Sequence, residues 1–175
     1  MIRIRNARLI LEDRIMDDVC LYYSENGIEA ITSDFLPFDK EIDANGLYLA
    51  PGLIDIHSHG GGDADFMDGT PEAFLQAARL HTCHGTTTIV PTATSGTAEE
   101  TAAMCSVFEE AVRRNDSGAD MPGLHLEGPY FAMSQRGAQD PRYVRSPIHY
   151  GTEGYFHAPK VHRYNLFKSV HFLGS

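Results

Sequence analysis

The sequence predicts an α/β fold built on a parallel sheet and preceded by a small β-rich segment. From Leu49 onward, short apolar runs alternate with stretches of helical periodicity, which is typical of strands joined by crossover helices. Before Leu49, the chain contains only short strand-like runs separated by tight turns. At the ends of two predicted strands, histidine and acidic residues alternate with apolar ones, so polar groups share one face of each strand.

Residues 1–49 are predicted to form the β-rich segment. Strand-like runs occur at Ile2–Arg5 and Val19–Tyr23, and the sequences Glu25-Asn26-Gly27 and Ala44-Asn45-Gly46 are typical of tight turns. No cluster of histidine, cysteine or acidic residues stands out in this segment. We therefore expect it to have a structural role.

Residues 50–145 are predicted to contain three strands and two helices. The first strand is expected at Leu53–His57. The first helix then begins after the cap residue Thr70, with Pro71 in its first turn, and ends at Gly85. The second strand, Thr86–Val90, follows at once.

The second helix is predicted to begin after Thr97, because Thr97 and Glu100 have the spacing of a capping box. Its apolar face repeats at helical spacing through Met104, Val107, Phe108 and Ala111. The third strand is expected at Gly123–Glu127. Strands joined in this way form either an open doubly wound sheet or a barrel, and polar residues at the strand ends favour the barrel.

Residues 146–175 differ in composition and are predicted to form an atypical tail. The segment contains four of the nine histidines but only one acidic residue, Glu153, and it has no helical or alternating stripe. Such a tail is what a frameshift or a truncated gene produces, which we state as a hypothesis that sequencing of the locus would test.

The composition argues against several classes of function. A formal net charge of −10 offers no basic surplus for binding nucleic acid or an anionic membrane surface. The longest apolar runs are far shorter than the about 20 residues that span a bilayer. The first residues contain no secretory apolar segment, and an odd number of widely spaced cysteines suits reduced thiols. We expect a soluble cytoplasmic protein.

The strongest chemical signal is His57-Ser58-His59 at the end of the first predicted strand. Because side chains alternate along a strand, the two imidazoles lie on one face, roughly 7 Å apart at about 3.3 Å per residue. Ile54 and Ile56 then lie on the other face, where we expect helices to cover them. Two imidazoles at this spacing can converge on one metal ion, and the following Gly60–Gly62 run would permit close approach of a ligand.

The second signal is the run Leu124-His125-Leu126-Glu127-Gly128-Pro129. Alternation places His125 and Glu127 on one face, and a carboxylate at the end of the third strand can reach a metal ion held by the first. His125 lies one step deeper and is predicted to support the site rather than to bind metal. The acidic run Asp63–Asp68 lacks the spacing of a calcium loop. His81 and His84 are expected to be packing or surface residues on the first helix.

Two segments resemble known proteins. The run from Pro51 to Gly60 resembles the opening barrel strand of the amidohydrolase superfamily. The run from Leu124 to Phe131, together with Gly61–Asp68 and Gly137–Pro141, resembles N-acetylglucosamine-6-phosphate deacetylases specifically. The resemblance covers residues 1 to about 145.

The resemblance implies a small β-sandwich built from both chain ends and a metal-dependent (β/α)8 TIM barrel. Members of this family release acetate from N-acetylglucosamine 6-phosphate in amino-sugar catabolism, so the resemblance implies the same activity here. It also implies a divalent metal cofactor, zinc or iron, with one or two ions bound. By the same resemblance, Glu127 is a metal ligand, His57 and His59 bind the second ion in members that keep both, and Ala138 and Gln139 contact the substrate. The implied partner is a small-molecule sugar phosphate, and a homo-oligomer is compatible with it.

The later barrel strands of the family have no counterpart in this chain. They carry two further histidine ligands and the catalytic aspartate, so no catalytic residue is assigned here. Three βα units cannot close an eight-stranded barrel, and the predicted barrel is incomplete. Two alternatives stay open, namely another amidohydrolase that acts on cyclic amides and an inactive fragment or interaction module.

Overall fold

The structure is a computed structural model that describes residues 1–145 and the backbone of residues 170–173. It divides into two units. The first contains Met1–Leu53 together with the strand Val170–Leu173, and the second begins at Ile54.

The strands and helices follow one another along the chain as two groups, a β-rich part and a part with helices. In chain order, they are β1 (Ile2–Arg5), β2 (Arg8–Ile10), β3 (Ile15–Met16), β4 (Cys20–Ser24), β5 (Gly27–Thr32), β6 (Lys40–Asp43), β7 (Tyr48–Pro51), β8 (Leu53–Ser58), β9 (Gly60–Gly61), β10 (Ala64–Asp65), α1 (Pro71–Cys83), β11 (Thr86–Ala93), α2 (Ala98–Arg114), β12 (His125–Leu126) and β13 (Val170–Leu173). Short 3-10 turns occur at Phe66–Asp68 and Met133–Gln135.

The first unit consists of two four-stranded sheets with the orders β5-β4-β1-β6 and β13-β7-β2-β3. The turn before β7 uses Asn45 and Gly46, whose φ angles of 51° and 81° suit residues that tolerate the left-handed region. Both sheets contribute to one apolar core, which contains Ile4, Ala7, Leu9, Leu21, Ala44 and Leu49. The two sheets therefore pack face to face.

The strand β13 was not predicted from the sequence. It pairs antiparallel with β7, and Val170 lies opposite Pro51. The other residues of the predicted tail lie outside the described residues. Val170–Leu173 is four residues long and contains three apolar residues and one histidine. So short a run shows too little alternation to be identified as a strand from the sequence.

The second unit contains a three-stranded sheet of order β12-β11-β8, in which β11 and β12 are parallel. The helix α1 packs against β11 and α2. Their shared core contains Phe66, Phe74, Ala77, Ala78, Ile89, Ala93, Met104, Ala111, Ala119 and Met121. The mixed α/β class predicted from the sequence is confirmed, whereas closure into a barrel stays a prediction.

Two predicted strand ends differ from the structure. The second strand continues three residues beyond Val90 to Ala93, and it buries Pro91 and Thr92 despite the missing N–H of proline. The third strand is limited to His125–Leu126, although the N–H of Glu127 also donates to the carbonyl of Ala93 over 3.2 Å.

The expectation that helices cover Ile54 and Ile56 is wrong for the described residues. These side chains are 51% and 70% exposed. The reason is the position of α1, which packs against β11 and the β9–β10 hairpin rather than over β8. One apolar face of β8 is therefore open to solvent.

The predicted helix starts are present. The hydroxyl of Thr70 accepts a hydrogen bond from the N–H of Ala73 at the start of α1. At the start of α2, Thr97 and Glu100 form both hydrogen bonds of a capping box, of 3.1 and 2.8 Å. Neither helix of the described chain is long and apolar enough to cross a bilayer.

Replacing Thr97 with Ala is expected to lower the free energy of unfolding by about 1 kcal/mol, because the N–H of Glu100 loses its side-chain acceptor. Replacing it with Ser keeps the hydroxyl and should change stability little. Urea denaturation followed by circular dichroism measures both. Equal losses in the two variants would contradict a capping role.

Candidate metal centre

The two histidines of the predicted motif lie together at the end of β8. The carboxylate of Asp55, two residues earlier, accepts a 3.0 Å hydrogen bond from the N–H of His57. The imidazole rings of His57 and His59 lie with their centroids 5.1 Å apart and their planes nearly perpendicular. Strand alternation therefore brings the two rings to one side, as the spacing predicts.

Glu127 reaches these histidines from the far strand of the sheet. Its Oε2 lies 3.2 Å from Nε2 of His59 and 3.5 Å from Nε2 of His57. One possible ligand atom from each of the three residues lies within 4.8 Å of the other two. The structure thus brings together the three residues that the sequence singled out, His57, His59 and Glu127.

The tautomer of His59 determines whether Nε2 faces Glu127 with a proton or with a lone pair. Nδ1 of His59 lies 3.1 Å from the carbonyl oxygen of Thr92. A carbonyl oxygen can only accept, so Nδ1 carries the proton and donates it. In the neutral ring, Nε2 then presents a lone pair, and it faces the carboxylate oxygen of Glu127 at 3.2 Å.

Two lone pairs at this distance repel each other unless a cation lies between them. The Oε2 atom of Glu127 is buried and accepts no hydrogen bond from the described residues. A buried carboxylate oxygen without a partner is costly. A proton on His59 would relieve one contact, whereas a divalent ion would engage Glu127 and both histidines. The donor set fits a metal ion, because imidazole nitrogen and carboxylate oxygen are common ligands of zinc and iron.

His125 lies beside the cluster rather than in it. Its ring centroid is 5.0 Å from that of His57, in an edge-to-face arrangement. Its backbone pairs with Thr92 in the register of β11 and β12. This position agrees with the expectation that His125 supports the site, and its role stays a prediction.

Gly60, directly after His59, makes room for the protein's own backbone. A side-chain carbon on Gly60 would lie 2.0 Å from the carbonyl oxygen of Ala64, across the β9–β10 hairpin. The carbonyl of Gly60 also lies 3.1 Å from Nε2 of His81. The close approach expected for a ligand is thus made by the protein's own backbone, and His81 has the packing role expected of it.

The acidic run at residues 63–68 has a structural role as well. Asp65 and Asp68 form a capping box around the turn Phe66–Asp68, with hydrogen bonds to the N–H groups of Met67 and Asp65. These carboxylates satisfy backbone donors.

Ala138 and Gln139 lie in the loop that follows β12. Ala138 is exposed, and Oε1 of Gln139 accepts a 2.8 Å hydrogen bond from the N–H of Ser95. Ser95 and Glu127 line the same shallow open depression. Gln139 thereby anchors its loop beside the depression that contains Glu127, and contact of either residue with substrate stays a prediction.

Sequence reasoning missed two residues of this region. The carbonyl of Thr92 accepts a hydrogen bond from Nδ1–H of His59. Ser95 lines the depression with Glu127, and its hydroxyl is buried with no hydrogen-bond partner among the described residues. Thr92 follows a proline in a run of threonines, and nothing in its sequence context marks it. Its importance comes from a contact across 33 residues of chain.

The chain is similar in sequence to known deacetylases. No protein-family model matches it. The chain is 32% identical over 143 residues to N-acetylgalactosamine-6-phosphate deacetylase of Escherichia coli O157:H7, covering 81% of this chain and 37% of that protein. It is 30% identical over 158 residues to human N-acetylglucosamine-6-phosphate deacetylase, covering 82% of this chain and 35% of that protein.

Solved structures agree with these similarities. N-acetylglucosamine-6-phosphate deacetylase from Pasteurella multocida matches with a TM-score of 0.72 and 25% identity, over 83% of this chain and 39% of that one. The Mycobacterium smegmatis enzyme matches with a TM-score of 0.67 and 26% identity, over 84% and 41%. The resemblance to the N-terminal part of these deacetylases is confirmed, and the chain spans less than half of their length.

Replacing Gly128 with Ala is expected to destabilise the site. Gly128 has a φ of 100°, and a side-chain carbon there would lie 2.3 Å from Oγ of Ser95. We expect a loss of at least about 1 kcal/mol in unfolding free energy, since backbone strain and a clash combine. Gly137→Ala is the matched control, because Gly137 has a φ of 61° and open space around it. Urea denaturation should show a clearly larger loss for Gly128→Ala, and equal losses would contradict the clash.

The carboxylate of Asp140 is expected to titrate unusually low. Hydrogen bonds from Arg142, first from its side chain and then from its backbone N–H, lower the pKa of Asp140 to about 2 from its ordinary 3.8. Because the folded-state pKa is the lower one, this contact stabilises the fold above pH 3.8 and is lost as the pH falls toward 2.

Replacing Arg142 with Gln should raise the pKa of Asp140 toward its ordinary value, as measured by carboxyl-carbon NMR titration. Arg136→Gln serves as the control, since charge from Arg136 is the smallest of the causes that lower this pKa. A larger effect of the Arg136 variant would show that the assigned cause is wrong.

Proposed function

We propose that this chain carries part of the metal site of an N-acetylglucosamine-6-phosphate deacetylase and that deacetylation requires the portion of the fold that its relatives have in addition. One observation carries the proposal. His57, His59 and Glu127 converge at the ends of two strands, in a chain that is similar to such deacetylases over about four-fifths of its length.

We propose His57, His59 and Glu127 as the metal ligands. A bound zinc or iron ion would supply Lewis-acid activation of water and polarise an amide carbonyl for its attack. Thr92 orients the ring of His59 so that Nε2 is free to ligate. The Oε2 atom of Glu127 lies within 3.5 Å of both Nε2 atoms, so the carboxylate can serve one ion or bridge two.

The substrate would lie beside Glu127, in the depression that Ser95 also lines. We propose that Ala138 and Gln139 contact the sugar from the loop after β12. The anchoring of Gln139 to Ser95 supports this proposal, because it holds the loop at the edge of the depression. A sugar phosphate is small and anionic, so binding it to a chain of net charge −10 needs cationic groups close by.

The rest of the barrel is proposed to pack against the open edges of the second unit. The strands β8 and β12 are the two edges of the three-stranded sheet among the described residues. Ile54 and Ile56 expose an apolar face on β8, which a completed barrel would cover. The chain spans 37% of the first relative, and the resemblance assigns the catalytic aspartate to the part beyond it.

A second substrate is favoured by one specific similarity. The relative with 32% identity is named for N-acetylgalactosamine 6-phosphate, which differs from N-acetylglucosamine 6-phosphate only in the configuration of one hydroxyl group. The proposed metal chemistry acts on the acetamido group that both sugars share. Both sugar phosphates therefore belong in the assay.

The purified chain is expected to bind zinc, as measured by calorimetry and elemental analysis. Replacing Glu127 with Gln or His59 with Gln should weaken zinc binding at least about tenfold, because each removes one of three ligands. His84→Gln is the control, since His84 is exposed at the end of α1 and its Nδ1 contacts the carbonyl of Leu80. If all three variants bound zinc as tightly as the wild type, the proposed metal site would be wrong.

Acetate release from both sugar phosphates is expected to be absent with this chain alone. It should appear when the segment that completes the barrel, taken from a related deacetylase, is supplied in trans or fused to the chain. The same mixture with Glu127→Gln should be inactive. Release of product from a cyclic amide but from neither sugar would favour the other amidohydrolase, and a metal-free inert chain would favour an interaction module.

A further inference from the structure

Thr92 occupies the middle strand of the second sheet, between the two strands that carry the metal-site residues. Its side chain is fully buried. Its backbone pairs with His125 of β12 on one side. On the other side, both its carbonyl and its hydroxyl contact the His57-Ser58-His59 motif at the end of β8. One residue thus links the central strand to both of its neighbours.

The hydroxyl of Thr92 is both a hydrogen-bond donor and a hydrogen-bond acceptor. It donates to the carbonyl of Val90 over 3.1 Å and accepts from the N–H of Ser58 over 3.2 Å. Because its own proton is directed to Val90, its lone pair is available to Ser58. Only a side chain that both donates and accepts can complete this chain of bonds, and valine, which has the same shape, does neither.

The Ser58 bond acts at the centre of the histidine motif. Ser58 lies between His57 and His59, so holding its N–H sets the backbone position from which both rings project. The carbonyl of Thr92 then holds Nδ1 of His59 at 3.1 Å and leaves Nε2 directed at Glu127. The backbone of the motif and the tautomer of one ring are therefore both set by Thr92.

We propose that Thr92 is a positioning residue for the metal site, with its hydroxyl holding the backbone of the histidine motif and its carbonyl selecting the tautomer of His59. The part that concerns metal binding rests on the proposed function. The part that concerns the tautomer holds for the protein without metal.

Neighbouring threonines show that burial alone does not give this role. Thr86, Thr87 and Thr88 are also buried on β11. Among the described residues, no hydrogen bond joins their side chains to the histidine motif. Thr88 is four residues from Thr92, so it projects from the same face of the strand and provides a matched control.

Three variants separate positioning from packing. Thr92→Val keeps the volume and removes the hydroxyl, Thr92→Ser keeps the hydroxyl and removes a methyl group, and Thr88→Val makes the first change elsewhere on β11. Positioning predicts that Thr92→Ser resembles the wild type and Thr92→Val does not. Packing predicts the reverse order, because only the serine variant leaves a cavity.

The first measurement is nitrogen-15 NMR of the imidazoles in the metal-free protein, at about pH 9, where histidine is neutral. The wild type, Thr92→Ser and Thr88→Val are expected to show His59 with its proton on Nδ1. Thr92→Val keeps the carbonyl but no longer holds the N–H of Ser58, so the motif can move away from that carbonyl and the single tautomer should give way to a mixture. A single Nδ1 tautomer in Thr92→Val, or its loss in Thr92→Ser, overturns the proposal, and the second outcome does so even if the valine variant fails to fold.

The second measurement is zinc affinity by calorimetry. Thr92→Val should bind zinc about 10 to 100-fold more weakly than the wild type, as is common when a group that orients a ligand is lost. The other two variants should stay within about threefold. Equal affinity in Thr92→Val overturns the role in metal binding. If the wild type binds no zinc, the proposed function fails, and the tautomer measurement still tests Thr92.

Discussion

The buried Oε2 atom of Glu127 lies 3.2 Å from Nε2 of His59, and the packing of the second unit has to hold these two groups together. In the neutral ring, Nδ1 keeps its proton and donates it in a hydrogen bond to the carbonyl of Thr92, so the two opposing atoms both carry lone pairs. Such a contact costs free energy in a protein without a cation and becomes favourable when a cation is present. The fold holds these groups together in spite of that cost, which supports the proposal that they bind a metal ion.

The sheet explains how three residues separated by up to 70 positions meet. β8 and β12 lie on either side of β11, and the carboxyl end of each strand presents its polar residues. The core beneath them is closed by α1 and α2, which bury Phe74, Ala77 and Met104. Ala93, Leu124 and Leu126 join the strands β11 and β12 to this core, and the loop that carries Gln139 is bonded to the N–H of Ser95.

The other face of β8 is apolar and exposed to solvent. Ile54 and Ile56 leave an apolar face of β8 exposed, although the alternate residues of that strand form the site. A face of this kind is normally covered in a globular protein. The chain spans 37% of its first relative, and the exposed face supports the proposal that further strands cover it.

The sequence by itself determined the local features of this protein. It predicted both helix caps and the strand that carries the histidine motif, because capping and strand alternation depend on neighbours a few positions apart. The approach of Glu127 to His57 and His59 was predicted from the shared end of the strands in a parallel sheet and from the family resemblance. Only the tertiary structure decided how far β11 continues past Pro91, which face of β8 stays exposed, and that Thr92 and Ser95 belong to the site. These features depend on contacts between residues 33 to 44 positions apart, such as the bond from His59 to Thr92 and that from Ser95 to Gln139. No local pattern encodes such contacts, since they exist only once the strands lie side by side.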